Sequence, residues 1–214
     1  GSAISLTDGR NDACACDALL FNNNLYAVGY EKEGESYHAK IWKDKQSFSL
    51  TKKLHSSFAF KMCIMNEKIY IVGYEYNGKN NVIKVWENGN SISITDGTKD
   101  AIAKTIFVYN NDIYVGGYEI ESECKKAMLW KNNIPIQLSD GSNDACVNSV
   151  FISNGNIFAV GYESKGDTRV AKVWQNGIST SLTDGSNDAS ADSIYVLGND
   201  IYIVGSEYSM KHNN

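Results

Sequence analysis

Long apolar runs are missing from this sequence of 214 residues; the longest are short stretches such as the one from Ile201 to Val204. None approaches the roughly 20 residues that a membrane-spanning helix needs, so no insertion into a bilayer is expected and the chain reads as soluble. Runs of Lys or Arg are missing as well, and 20 basic against 25 acidic residues leave a formal charge of −5. Neither a nucleic-acid footprint nor attraction to an anionic membrane surface is expected from that balance. Cysteine is sparse: five thiols, an odd number at irregular spacing, cannot all pair and form no zinc pattern. Cys14 and Cys16 sit too close in an extended strand to bridge easily. Histidine is rarer still, and His38, His55 and His212 occupy unrelated positions with no metal-ligand spacing. No serine or cysteine lies in a recognisable activating motif. No cofactor and no metal are expected. What the sequence does have is 43% hydrophobic and 21% charged residues, the composition of a globular chain with one well-filled core.

It also has a repeat. Leu6-Thr7-Asp8-Gly9 returns as Ile94-Thr95-Asp96-Gly97, Leu138-Ser139-Asp140-Gly141 and Leu182-Thr183-Asp184-Gly185, and a degenerate copy, Leu50-Thr51-Lys52-Lys53, fills the gap. Five copies thus start at 6, 50, 94, 138 and 182, a period of 44 without insertion or deletion. Gly29, Gly73, Gly117, Gly161 and Gly205 form one column, followed by Tyr30, Tyr74, Tyr118 and Tyr162, with Ser206 in the fifth copy, and then by Glu31, Glu75, Glu119, Glu163 and Glu207. The four tryptophans, Trp42, Trp86, Trp130 and Trp174, form another.

Each copy reads as four short strands rich in Val, Ile, Tyr and Phe, separated by turn signals, with no competing helical period. In the fourth copy these are residues 149–153, 156–163, 170–174 and 178–183. The second strand is apolar at successive positions, so both of its faces should be covered by neighbouring sheets. Asn110-Asn111, Asn154-Gly155, Asn88-Gly89 and Asn176-Gly177 are residues that tolerate the positive φ of tight hairpins. A four-stranded unit of about 44 residues, repeated, predicts an all-β β-propeller of five blades. Small residues such as Ala59, Ala103, Ala145 and Ala191 suit a crowded first strand. Pro135, alone of its kind, falls in a fourth strand, where an outer edge tolerates a missing N–H.

In repeat length and blade type the chain resembles the WD-repeat propellers, without their Trp-Asp or Gly-His signatures. Its five near-identical units more closely resemble the tachylectin type of five-bladed lectin, a likeness of architecture that implies carbohydrate recognition and favours an extracellular or cell-surface setting. The whole chain, 1–214, reads as one propeller domain, with Gly1-Ser2 a cloning scar. The fifth copy stops before its third strand, so that blade is expected to be incomplete, with Ala3 to Thr7 as an N-terminal strand closing the ring and self-association through the incomplete blade as a further expectation.

In such a blade the interblade turn and the turn between second and third strands share one rim. That gathers Asp12, Tyr30 and Glu31; Tyr74 and Glu75; Asp100, Tyr118 and Glu119; Asp144, Tyr162 and Glu163; and Asp188 with Glu207 as candidate ligand-binding residues. Carboxylates and amides beside an aromatic ring suit a sugar, bonding its hydroxyls while the ring covers C–H surface. The spacing of a calcium loop is absent. The plainer reading gives the Asp-Gly pairs to turn formation, the glutamates to cross-strand pairs with Lys40, Lys84 and Lys172, and the tyrosines and tryptophans to core. Because the acids repeat, whereas a paired-carboxylate glycosidase needs unequal blades converging on one site, the expectation is a non-catalytic, multivalent lectin-like module binding a glycan. A protein-interaction or scaffold propeller with a protein ligand is the alternative.

Overall fold

A computed structural model describes residues 3–52 and 54–209. Gly1-Ser2, Lys53 of the degenerate copy and residues 210–214, with His212 among them, lie outside the described residues, so the question of a third strand there does too. By its contacts the chain divides into two compact units, Gly1–Ile102 and Ala103–Asn214.

The first unit holds strands β1 (Ala13–Phe21), β2 (Asn24–Glu33), β3 (Ser36–Lys43) and β4 (Gln46–Ser49), then β5 (Ser57–Met65), β6 (Lys68–Tyr76), β7 (Asn81–Glu87) and β8 (Asn90–Ser93). Strands β9 (Ala101–Tyr109), β10 (Asp112–Glu121), β11 (Cys124–Lys131) and β12 (Ile134–Gln137) open the second. It continues with β13 (Ala145–Ser153), β14 (Asn156–Lys165), β15 (Thr168–Gln175) and β16 (Ile178–Ser181), and closes with β17 (Asp188–Leu197) and β18 (Asp200–Tyr208). Four sheets are antiparallel meanders of four strands and the last described sheet has two. The fold is all-β, built of repeated β-propeller blades.

The turns form where the sequence supplies residues that accept positive φ. Asn110 and Asn111, Asn132 and Asn133, Asn154 and Gly155, and Asn176 and Gly177 all adopt it in consecutive pairs, the twist-matched geometry of two-residue hairpins. Asn88, Asn132 and Asn176 also accept the backbone N–H of Ile69, Ile113 and Ile157, tying each outer hairpin to its second strand. Pro135 sits exposed on the edge strand β12, paired with Trp130 as its place in the sequence requires.

Sheets stack face to face within each unit. Tyr114, Ala127, Leu129 and Leu138 of one sheet meet Ala145, Val147, Val150 and Trp174 of the next. Phe158, Val160 and Ala171 of that sheet then meet Ala189, Ala191 and Ile194. In the first unit Val28 and Ala39 meet Ala59, Met62, Ile71 and Trp86. The alanines of the first strand let the sheets approach, and all four tryptophans are buried, as core.

Two features were not legible beforehand. Residues 3–7, expected as a closing strand, form none. Their counterparts, such as those of β4, are held by the ladder to a preceding third strand, a partner that residues 3–7 do not have among the described residues. The second feature is a bulge in the first strand. Ala15 pairs with Gly29 and Asp17 with Val28, leaving Cys16 as an extra residue; Phe60, Asn148 and Asp192 are extra in the same way. The bulge turns a carbonyl into the facing strand: a Cβ on Gly29, Gly73, Gly161 or Gly205 would stand 1.8–2.0 Å from the oxygen of Cys14, Phe58, Cys146 or Ser190. That is why the column is glycine.

Candidate functional site

The Asp-Gly motif is accounted for by the fold. Asp8, Asp96, Asp140 and Asp184 each accept the N–H two residues on, from Arg10, Thr98, Ser142 and Ser186, and the glycine after each has positive φ. The preceding hydroxyl reaches the previous sheet: Thr95, Ser139 and Thr183 accept from the N–H of Ile83, Ala127 and Ala171. The second acid does the same one strand end away, Asp100, Asp144 and Asp188 accepting the N–H of Asn81, Lys125 and Arg169 at 2.7–2.8 Å. In the degenerate copy Ser56 takes this place and accepts from Tyr37 at 3.3 Å, so the position needs an acceptor rather than a charge.

Replacing Asp144 by Ala should therefore cost about 0.5 to 2 kcal/mol, the range of lost side-chain caps. Asp144→Ser should recover most of that in urea unfolding.

The glutamates pair along the ladders. Glu31, Glu75 and Glu163 lie 3.9, 3.7 and 3.1 Å from Lys40, Lys84 and Lys172. Glu119 stands opposite Lys126 in the ladder, Lys126 pairs with Glu121, and Glu207 accepts from Asn187. The Asp12 carbonyl accepts from the N–H of Lys32, and its side chain is exposed. Tyr30 and Tyr74 pack into an aromatic cluster with Tyr37, Phe58 and Phe60. Of the rim residues singled out from the sequence, Tyr118 and Tyr162 line the cleft described next.

The bulge residues stand at that cleft. Each shares a side of the first strand with the residue two before it, as alternation requires: Cys14 Sγ lies 3.9 Å from Cys16 Sγ, Phe58 stacks with Phe60, Cys146 contacts Asn148, and Ser190 donates to Asp192. The bulge column, Cys16, Phe60, Lys104, Asn148 and Asp192, carries a different residue in every copy. In the second unit Lys104, Asn148 and Asp192 all line one open cleft of about 460 Å³. Asn148 Nδ2 spans two of them, donating to Ser190 Oγ and the Ala191 carbonyl at 3.0 Å and to Asp192 at 3.5 Å.

Around that floor stand Tyr118, Tyr162, Lys125, Arg169, Cys146 and Tyr208. Lys125 lies over the Tyr118 ring and Arg169 over Tyr162. Arg169 also grips Asp188 through Nε and Nη2, and these hydrogen bonds hold the Asp188 carboxyl at about 2. Burial pushes the Cys146 thiol up to about 11 despite the pull of Lys104 and Lys125. Burial first, then the neighbouring Cys146 and Asp144, pushes the Tyr162 hydroxyl up to about 12. With Arg169 set against Asp188, the lining keeps Lys104 and Lys125 against the one carboxylate of Asp192, a cationic cleft in a chain of net charge −5.

Acid should reveal the carboxylates. The Asp188 carboxyl lies below its unfolded value, and hydrogen bonds from Ser142 and Ser186 lower those of Asp140 and Asp184. Their stabilisation is full above pH ~4, the unfolded carboxylate range, and is lost as pH falls from there toward 2. Melting temperature should drop across that window, and less steeply in Asp188→Asn.

No protein-family model and no curated protein matches this sequence. Among solved structures the chain is similar to the acylaminoacyl peptidase of Pyrococcus horikoshii at 14% identity and a TM-score of 0.49, over 86% of this chain and 31% of that one. It therefore spans about a third of the peptidase. It is also similar to the catalytic domain of the GH62 α-L-arabinofuranosidase of Coprinopsis cinerea (10% identity, TM-score 0.46, 84% of this chain and 71% of that one). A third is the α-L-arabinofuranosidase of Podospora anserina (14%, 0.46, 83% and 70%). These neighbours are enzymes, which corrects the expectation of a non-catalytic module, lectin-like or scaffold. At such identities and scores the likeness concerns the fold, and no substrate or catalytic residue is carried over from it.

The acids that repeat from copy to copy belong to the turns and strand ends. One column that differs in every copy is that of the bulge, and its Lys104, Asn148 and Asp192 line one cleft. Their signal in the sequence was a variable residue fixed one place beyond a small one, as in Ala15-Cys16 and Ala191-Asp192.

Proposed function

We propose that the bulge-lined cleft of the second unit is the working site of this protein and takes a small, hydroxyl-rich anion of the sugar-acid or sugar-phosphate class. The reading is carried by the convergence of Lys104, Asn148 and Asp192, three unlike residues from equivalent positions, on one cleft. Lys104 and Lys125 meet the negative group. Asn148, Ser190 and Asp192, already bonded to one another, present the mixed donors and acceptors that fix sugar hydroxyls. Tyr208 supplies further wall.

Calorimetric titration with uronic acids and with sugar phosphates separates the two sources of charge, with neutral arabinose oligosaccharides as a third arm. One anionic class should bind, with affinity falling as salt rises. Lys104→Ala and Asp192→Ala should each weaken it at least tenfold, about 1.4 kcal/mol, while Glu163→Gln, outside the cleft, leaves it unchanged. Equal binding by the Lys104→Ala protein, or binding of neutral sugars alone, would refute the assignment.

A further inference from the structure

Two thiols meet in the first unit. Cys14 and Cys16, two apart in β1, share one side of the strand, with their Sγ atoms 3.9 Å apart. The counterpart pairs are Phe58 with Phe60, Ile102 with Lys104, Cys146 with Asn148 and Ser190 with Asp192, so this copy alone places two sulfurs there. One ion can reach both, since a thiolate sulfur sits about 2.3 Å from a bound metal.

The surroundings, all from the first unit, decide which ion. Tyr30 stands opposite Cys14 in the ladder, and its ring packs edge-on against Tyr37 and Phe58, so the wall beside the sulfurs is aromatic. The neighbouring carboxylate of Asp17 is occupied: its oxygens accept the N–H groups of Ala18 and Met62, and Lys61 lies 3.9 Å away. Among the described residues no group of three or more His, Cys, Asp or Glu is placed to share an ion. Zinc takes at least three protein ligands and calcium six or more oxygens; two sulfurs beside rings suit a soft ion satisfied by two, and thiolates select copper(I). Burial, and then the Cys14 thiol, pushes the Cys16 thiol up to about 12. At neutral pH it therefore keeps its proton and reacts slowly as a nucleophile, and a metal displaces that proton on binding.

We propose that Cys14 and Cys16 form a two-sulfur binding site for copper(I), built from none of the residues of the second unit's cleft. Two S–H bonds break and two copper–sulfur bonds form, two protons leave to solvent, and no electron is transferred. The pair gains one negative charge in the process, which the ammonium of Lys61, already felt by Cys16, offsets.

Anaerobic titration of the reduced whole chain with the coloured copper(I)–bicinchoninate complex tests this. The unaltered chain should withdraw one equivalent of copper from the chelator, and excess zinc should not prevent it. Cys14→Ser and Cys16→Ser should each lose at least a hundredfold in affinity and leave the copper with the chelator, while Cys124→Ser, whose thiol lies at another strand end, should withdraw as much as the unaltered chain. X-ray absorption at the copper edge of the loaded, unaltered chain should show two sulfur neighbours, a reading that needs no variant and so stands even if a serine variant folds poorly. An unaltered chain that leaves the copper with the chelator, a Cys14→Ser protein that withdraws it equally well, or a copper with three or more sulfur neighbours overturns the proposal.

Discussion

Gly161→Ala should destabilise the protein by about 3 kcal/mol or more, at the upper end of what single substitutions do. The added Cβ would stand 1.8 Å from the Cys146 carbonyl oxygen, and that oxygen is main chain, fixed by the β13–β14 ladder on either side of the bulge. Relief requires undoing the bulge. Removing the bulge shifts the register by one residue and sends every side chain beyond it to the other face, so Val147 would leave the core and Asn148 the cleft. Gly155→Ala makes the informative control. Gly155 has a φ of 76° with open space around its absent Cβ, so only the left-handed backbone is penalised, by about 1 kcal/mol. Urea unfolding of the two variants should separate them clearly, and equal losses would show that the bulge does not dictate the glycine.

Trp174→Ala should cost about 3 to 5 kcal/mol, the range for emptying a buried aromatic site. The indole is fully buried between two sheets, with Leu129 and Leu138 on one side and Ala159 beside it. An apolar hollow of about 160 Å³ lined by Leu129, Ile136, Ile157 and Trp174 already adjoins it, so the walls have little left with which to collapse. Trp174→Phe should cost far less, roughly 1 kcal/mol, as a smaller change of buried volume. The buried Trp174 Nε1 has no hydrogen-bond partner among the described residues, so phenylalanine removes an unsatisfied donor along with the lost volume. Thermal unfolding that ranks the two variants otherwise would show that the column is held by something other than packing.

The sequence carried the architecture because each element rests on local chemistry that recurs five times. Asn and Gly at the hairpins, alternating and continuous apolar strands, alanines where sheets approach, and one proline at an edge all act within a few residues of where they stand. A 44-residue period then multiplies each weak signal. The Glu–Lys pairs at Glu31, Glu75 and Glu163 were legible for the same reason, since two strands joined by a short turn have only one register. Repetition also made Asp100, Asp144 and Asp188 conspicuous, and their carboxylates accept the N–H groups of Asn81, Lys125 and Arg169.

Which side chains share a cleft depends on the bulge. One extra residue in the first strand reverses the alternation of faces, and no propensity at Cys16, Phe60, Asn148 or Asp192 announces it. Only the glycine opposite marks the place, and it marks it for a reason visible once the carbonyl of Cys146 is seen aimed at Gly161. By itself the sequence determined the strands, their order and their turns, because these follow from neighbours along the chain. The tertiary structure alone decided that Lys104, Asn148 and Asp192 meet, because residues 44 and 88 positions apart are brought together by the stacking of sheets and by a break in the ladder.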